Sequence, residues 1–459
     1  MFTMFLNKYR YMLFGIVLGV AGMQNAFAQH TGEQFYPLFT YRTGPYANVG
    51  ISIIAGQRDM LTYLAATEGG VDGVKNFTVE CETSYDIDKG IECFDRYVHG
   101  YQGAPIATIT SMSSGLFAAT IQRNNDNKVP HMIPGGGTAF GIDGRYNPYQ
   151  VSVMFDYWRE AQVVVAYVAQ RLGGYDKLKG QVIATMYHDS GYGRDTIQPM
   201  KLLSEKYGFT DVQIPVAHPG VQQEAQWAQV RNEKVNWVFY RGWGAMTPVG
   251  IKTAKRTGFP ADHIIGDIWS TSEDDVRPAG DAALGYTGVN VFPPGVDFKL
   301  LQDIKKVVYG KGEGDLKGKE MDRFGTVYYN FGVITSLVYS EMLRTGHKHF
   351  GKRPINGEEA LWAYEHLDID QKRLEAIGAV DLMAPLKLSP CNHEGENIQA
   401  KVIQWTGNGW KSTDWIKIDS MMFVPTFVAK AESLAKEQDV KPRDLPQCKD
   451  WWQKTATAN

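Results

Sequence analysis

What the sequence lacks narrows its chemistry first. It contains no G-x-S-x-G elbow, no H-E-x-x-H pair, no Walker loop and no G-x-G-x-x-G after a strand. The usual signatures of an activated serine, a zinc hydrolase or a nucleotide cradle are therefore absent, and no enzyme, cofactor or metal is expected. His188-Asp189-Ser190 has the residue types of a triad, but neighbours on one loop rarely reach the mutual geometry that nucleophilic catalysis needs. Charge of one sign is also lacking: the formal net charge is -3, which gives no reason to expect nucleic acid or an anionic membrane as partner. Cysteine is scarce, with four in 459 residues. None has the CxxC or CxxH spacing of a zinc site, so the reading is two disulfides, and the spacing favours Cys81 with Cys93 and Cys391 with Cys448.

Long apolar runs are missing too. The longest, Tyr11 to Met23, has about 13 residues against the roughly 20 that span a bilayer. It follows Lys8 and Arg10 and precedes Ala26-Phe27-Ala28. A charged start, a short apolar stretch and an A-x-A site predict a signal peptide over residues 1–28, cleaved before Gln29. The mature chain is then expected in the periplasm, with no membrane insertion. With 44% apolar and 12% aromatic residues, it has the composition of a globular protein and is too long for one ordinary core, so two lobes are expected.

The pattern along the chain is strand, helix, strand, helix. Phe35 to Phe39 reads as a strand ending at Gly44-Pro45, and Val49 to Thr67 carries apolar residues at helical spacing. Further strands at Asn76–Cys81, Ile106–Ile109 and His131–Ile133 end in loops rich in hydroxyls or glycine. A second unit of the same grammar starts near Asn147, with strands at Gln181–Tyr187, Val212–Val216, Trp237–Tyr240 and His263–Gly266. Alternation of this kind predicts an α/β fold of two Rossmann-like lobes with parallel sheets, joined by a multi-strand hinge. The expected division is lobe 1 over 29–147 and 276–375, lobe 2 over 148–275 and 376–420, and a C-terminal extension over 421–459. Gly285 to Phe292 is read as a strand of lobe 1, His347-Lys348-His349 as a surface loop, and the charged tail Val428–Lys441 as a surface addition. Ligands of open α/β sheets lie beyond the carboxyl ends of the strands. That places Tyr41 to Tyr46, Thr110 to Ser114 and Gly135 to Thr138 at one binding edge.

Three stretches resemble the type I periplasmic solute-binding proteins of ABC importers, in particular the leucine/isoleucine/valine-binding group. Arg42-Thr43-Gly44-Pro45-Tyr46-Ala47 is similar to that family's opening loop, with Tyr41 in place of a proline. His188-Asp189-Ser190-Gly191-Tyr192-Gly193 resembles its second-lobe loop, and Asn392-His393-Glu394-Gly395 before Gln404-Trp405 its last crossing between lobes. The resemblance implies a ligand carboxylate clasped by Ser111, Ser113, Ser114, Gly136, Gly137 and Thr138, with Tyr192 beside it. Where the family places a carboxylate for the ligand ammonium, this chain has Ile268, one residue after Asp267. An ammonium buried without a carboxylate is costly, so an ordinary amino acid is only the second expectation.

Trp243 and Trp269 with Tyr41, Tyr46, Tyr187 and Tyr192 suggest an aromatic-lined cleft instead, suited to a flat or apolar ligand and able to embrace a cation. Arg42 and Arg241, on loops of opposite lobes, are candidates to grip a carboxylate between them. The resemblance implies capture of a small organic solute by hinge closure and delivery to membrane permease subunits. An aromatic or other compact carboxylate or amide is the leading expectation, and a branched-chain amino acid the alternative. A periplasmic ligand sensor would share the fold.

Overall fold

The computed structural model describes residues 29–136, 143–395, 398–419, 421–437 and 439–455. The expected signal peptide, and Gly137 and Thr138 of the third loop, lie outside the described residues.

Two sheets organise the chain. The first is parallel, in the order β2(Asn76–Glu82), β1(Gln34–Thr40), β3(Ile109–Thr110), β4(His131–Pro134), β5(Gln150–Val153). All seven residues of β1 are buried, as a strand covered by helices on both faces requires. Phe35 and Phe39 face the layer that holds Phe94 and the Cys81–Cys93 bridge. From the opposite face Tyr36 stacks on Tyr339 of the long helix Val327–Phe350, with ring centres 3.8 Å apart. That helix packs on helix Ala47–Glu68 at a glycine contact: a Cβ on Gly56 would strike the Tyr329 carbonyl, and one on Gly332 the Ile53 carbonyl. Two backbones approach this closely only where side chains are absent.

The second sheet runs in the order β14(Trp410–Ile416), β13(Ala400–Trp405), β10(Thr287–Asn290), β9(Ile264–Gly266), β8(Trp237–Arg241), β6(Val182–His188), β7(Thr210–Val216). Its β6 to β10 are parallel, and β13 and β14 add an antiparallel edge. A two-stranded ribbon, β11(Asp368–Ile369) with β12(Leu386–Lys387), lies between the last helices and β13.

Two strands fall on the other side of the expected division. The segment read as returning to lobe 1 is β10, which pairs with β9 and β13 of the second sheet. Conversely β5, placed in lobe 2, closes the edge of the first sheet against β4. Both sit next to a crossing between sheets, where a strand's own pattern does not say which neighbour it will pair with. The chain crosses three times: after β5, after β10 and between β12 and β13.

At the first crossing Asp156 caps the buried helix Tyr157–Leu172, accepting from the Trp158 and Arg159 amides at 2.6 and 3.0 Å. The Arg159 guanidinium donates to Asp156 and to Glu394 of the third crossing, and the Met154 amide reaches the Glu394 carbonyl at 2.8 Å. Two of the three connections are thereby tied to each other by buried charge.

Both disulfides form as the spacing predicts, Cys81–Cys93 and Cys391–Cys448. The tail differs from a surface addition. Helix Val424–Glu437 buries Val424, Phe427, Val428 and Ala431, and Phe423 and Phe427 pack edge-on against Trp158 at 5.2 and 4.8 Å. Its apolar residues recur at helical spacing beneath a charged outer face, so net charge misled where periodicity was informative. His347 likewise lies buried in the last turn of the long helix rather than on a loop.

Candidate functional site

The carboxyl ends of the parallel strands from both sheets converge. From the first come Tyr41 and Tyr46 after β1, Tyr85 after β2, Met112 and Ser114 after β3, and Gly136 after β4. From the second come His188 and Tyr192 after β6, His218 after β7, Trp243 after β8 and Trp269 after β9. Tyr85, Met112, Tyr157, Tyr192, Trp243 and Trp269 line a small cavity of about 10 Å³. A second hollow of about 10 Å³ adjoins it, sharing Tyr85 and Met112 and adding Tyr41, Thr83, Asp86, Ser111 and Ser113.

Rings close this space from both lobes. Tyr46 stacks on Trp243 with centres 3.8 Å apart and planes 8° from parallel, while Tyr85 meets the same indole edge-on at 4.1 Å. The Tyr46 hydroxyl lies 2.6 Å from His218 Nδ1 and 3.1 Å from His188 Nε2. On the far wall Trp269 Nε1 donates to the Tyr157 hydroxyl at 2.9 Å, which lies 3.2 Å from Ser114 Oγ. A Cβ on Gly136 would press 2.7 Å from that hydroxyl, so glycine there lets the tyrosine and tryptophan meet. Two buried polar atoms of the cluster, Trp243 Nε1 and the Tyr41 hydroxyl, have no hydrogen-bond partner among the described residues. Unsatisfied buried groups cost about 1–3 kcal/mol each and suit a ligand that completes them.

Behind the rings lies a layer of charge. Arg241 is fully buried and donates to Glu160 at 2.5 Å, with Asp267 at 3.8 Å. Its guanidinium sits 4.3 Å from the Tyr157 ring centre and 4.5 Å from that of Tyr192. Asp267 accepts from the Tyr192 hydroxyl and, at 2.9 Å, from Ser270 Oγ. Glu160 also accepts from the Ile268 amide at 2.8 Å. Asp275 accepts from the Gly244 amide at 3.0 Å and the Tyr328 hydroxyl at 2.8 Å, and that hydroxyl also reaches the Trp269 carbonyl. Burial pushes the Asp275 carboxyl up to about 7. Burial also raises Glu160 and Asp267, against the pull of Arg241.

Of the residues singled out in the sequence, Tyr41, Tyr46, Ser114, Gly136, Tyr192, Trp243 and Trp269 come together here. Arg42 does not: Glu80 and Asp315 hold its guanidinium at 2.9 and 2.8 Å on the outer side of its lobe, in a network with Arg58. Arg241 and Asp267 are spent on the internal pairings just described, so neither arginine is available for a carboxylate. Ser111 Oγ is taken by His131 Nε2 at 2.7 Å, and Ser113 Oγ caps a short helix by accepting from the Leu116 amide at 3.2 Å; both still line the adjoining chamber. Ile268 is buried and supplies no carboxylate. Sequence reasoning passed over Tyr85, Tyr157, Asp275 and Tyr328, and took in Met112 only as part of the Thr110 to Ser114 loop. Tyr85 was the findable one, because it follows a strand at the same end as the named loops.

Comparison with known proteins agrees with this architecture. Residues 37–315 match the family model described as periplasmic binding protein. A crystal structure titled as an ABC transporter permease from the Pseudomonas fluorescens group is 47% identical, with TM-score 0.84 over 90% of this chain and 99% of that one. A branched-chain amino acid ABC transporter protein from Thermus thermophilus with bound valine is 17% identical (TM-score 0.70, 85% of this chain, 98% of that one). An ABC transporter solute-binding protein from R. palustris in complex with benzoate is 16% identical (TM-score 0.66, 85% and 98%); these last two share the fold. No curated protein matches the sequence. Two lobes meeting over an aromatic pocket at their strand ends, a family match over more than half of the chain and a relative nearly half identical leave one assignment: the chain belongs to the periplasmic binding protein family.

Proposed function

We propose that the protein is the substrate-binding component of an ABC importer, exported to the periplasm. It captures a compact organic solute between its lobes and presents the closed form to membrane permease subunits. The observation that carries this reading is the Tyr46–Trp243 stack, which joins the two lobes directly over the enclosed aromatic cavity. A ligand touching both walls adds its contacts only in the closed state, and that differential binding shifts the hinge equilibrium. Three crossings limit the motion to rotation of one lobe on the other. Among the described residues no helix is long and apolar enough to cross a membrane, in keeping with a partner that supplies the channel.

The aromatic walls suit a flat, apolar or cationic organic ligand. A carboxylate has no support from the lining, which holds no arginine, lysine or histidine around the cavity. A branched-chain amino acid, carrying both a carboxylate and an ammonium, is the weaker reading for that reason.

The test is a thermal-shift and small-angle scattering screen of residues 29–459 against aromatic acids, amides, amines, polyols and amino acids. A ligand of this site raises the melting temperature in a concentration-dependent way and shifts the scattering toward the compact form. Trp243→Ala removes both responses. Binding that survives Trp243→Ala unchanged places the ligand elsewhere and overturns the assignment of the cleft.

A further inference from the structure

The charge of the ligand follows from the layer behind the rings. Resting on the binding role proposed above, we infer that the cleft takes a compact organic cation bearing an oxygen acceptor, of the hydroxyalkyl-ammonium type.

Five aromatic rings and one thioether line this space. Aromatic faces are negative and attract cations by their quadrupole, most strongly where water is excluded. Such a wall is neutral in its preference unless the surroundings tip it, and here they do. Three carboxylates are bonded to the frame of the rings: Asp275 to the Gly244 amide next to Trp243 and to the Tyr328 hydroxyl that reaches the Trp269 carbonyl, Asp267 to the Tyr192 hydroxyl, and Glu160 to the amide of Ile268 before Trp269. Two cations are near them: Arg241, and Arg323, which is paired with Asp274 at 3.3 Å. The Arg241 charge is already met by Glu160 at 2.5 Å and Asp267 at 3.8 Å, and among the described residues Asp275 has neutral donors on it and no direct ion pair.

An anion entering this space would meet three acids and no free donor of positive charge. A cation would find the π faces of Trp243, Trp269 and Tyr85 and a field made negative by the acids. The partnerless Trp243 N–H asks for an acceptor on the ligand, and a hydroxyl or carbonyl oxygen beside the cationic head supplies it. The hydroxyl-rich adjoining chamber, with Thr83, Ser111 and Ser113, receives the polar arm.

Choline and its uncharged isostere 3,3-dimethylbutan-1-ol separate charge from shape. Calorimetry on residues 29–459 should show choline binding at least about tenfold more tightly than the alcohol, a difference of about 1.4 kcal/mol, and more tightly than benzoate or valine. Asp275→Asn, which keeps the acceptor oxygen for Gly244 and Tyr328, should weaken choline about tenfold and leave the alcohol unchanged. Equal affinities for choline and the alcohol overturn the cation assignment. Saturable benzoate or valine binding without choline binding also overturns it while leaving the solute-binding role intact. Silence toward the whole panel, with no closure by scattering, counts against both.

Discussion

The cleft and the anchor of the C-terminal tail treat buried charge in opposite ways. At the anchor, Glu365 accepts from Arg443 at 2.5 and 3.2 Å and lies 3.2 Å from His393 Nε2. Burial works against its charge, yet His393 and Arg443 hold the Glu365 carboxyl down at about 2. At the cleft, Asp275 has only neutral donors on it and is pushed up to about 7 by burial. The difference separates two uses of a buried carboxylate. A compensated acid fixes one element on another, and an uncompensated acid keeps a field available for a partner that arrives later.

If the anchor is there for rigidity, breaking it should cost stability and spare binding. The largest effect is expected from removing the Cys391–Cys448 bridge, which closes a separation of 57 residues. Replacing both cysteines by alanine should cost about 4 kcal/mol by the loop-entropy relation, measured by urea unfolding. The Cys81–Cys93 bridge, with a separation of 12, should cost about 3 kcal/mol by the same relation; a reversed order would mean that native packing rather than loop length sets their worth. Next comes Glu365→Ala, which strands Arg443 and His393 and should cost about 3 kcal/mol. Calorimetric affinity for a cleft ligand should stay within about twofold in each variant. Loss of ligand binding with the tail variants would erase the distinction between the two regions.

The sequence carried the grammar of the fold better than its bookkeeping. Strand and helix alternation was legible because β1, β6 and β8 are short apolar runs closed by turn residues. The two disulfides were legible because so few pairings were open. Strand partnership near the crossings was not, since β5 and β10 carry no mark of which sheet receives them. At the site, loop position found Tyr41, Tyr46, Trp243 and Trp269. It failed for Arg42, Arg241 and Asp267, because side-chain type does not reveal whether a charge is already taken by a residue distant in sequence. Arg42 finds Asp315 across 273 positions and Arg241 finds Glu160 across 81, contacts that only the folded chain creates.

Asp275→Asn sharpens the comparison with the smallest expected change and a sign opposite to the anchor variants. Around Asp275 stand the Tyr328 hydroxyl and the Gly244 amide as donors, Asp274 as a like charge and Arg323 as the nearby cation, with Tyr41 facing it from the first lobe. Its folded value of about 7 lies above the ordinary aspartate value of 3.8. The stability linked to its proton is therefore fully present below the unfolded value and is lost as pH rises through 7. Asparagine keeps the two accepted bonds and does not ionise. The variant has no such pH dependence and should gain about 2.7 kcal/mol on the wild type between pH 5 and pH 8, the linkage slope over the two units below the folded value. Choline should narrow that gap at pH 8 by about 1.4 kcal/mol, the tenfold difference in affinity, because the wild type then gains more than the variant. Melting curves at the two pH values, with and without choline, read out all four states. A variant that loses stability at pH 8 would show that Asp275 is compensated after all, and the cleft and the anchor would then handle charge alike.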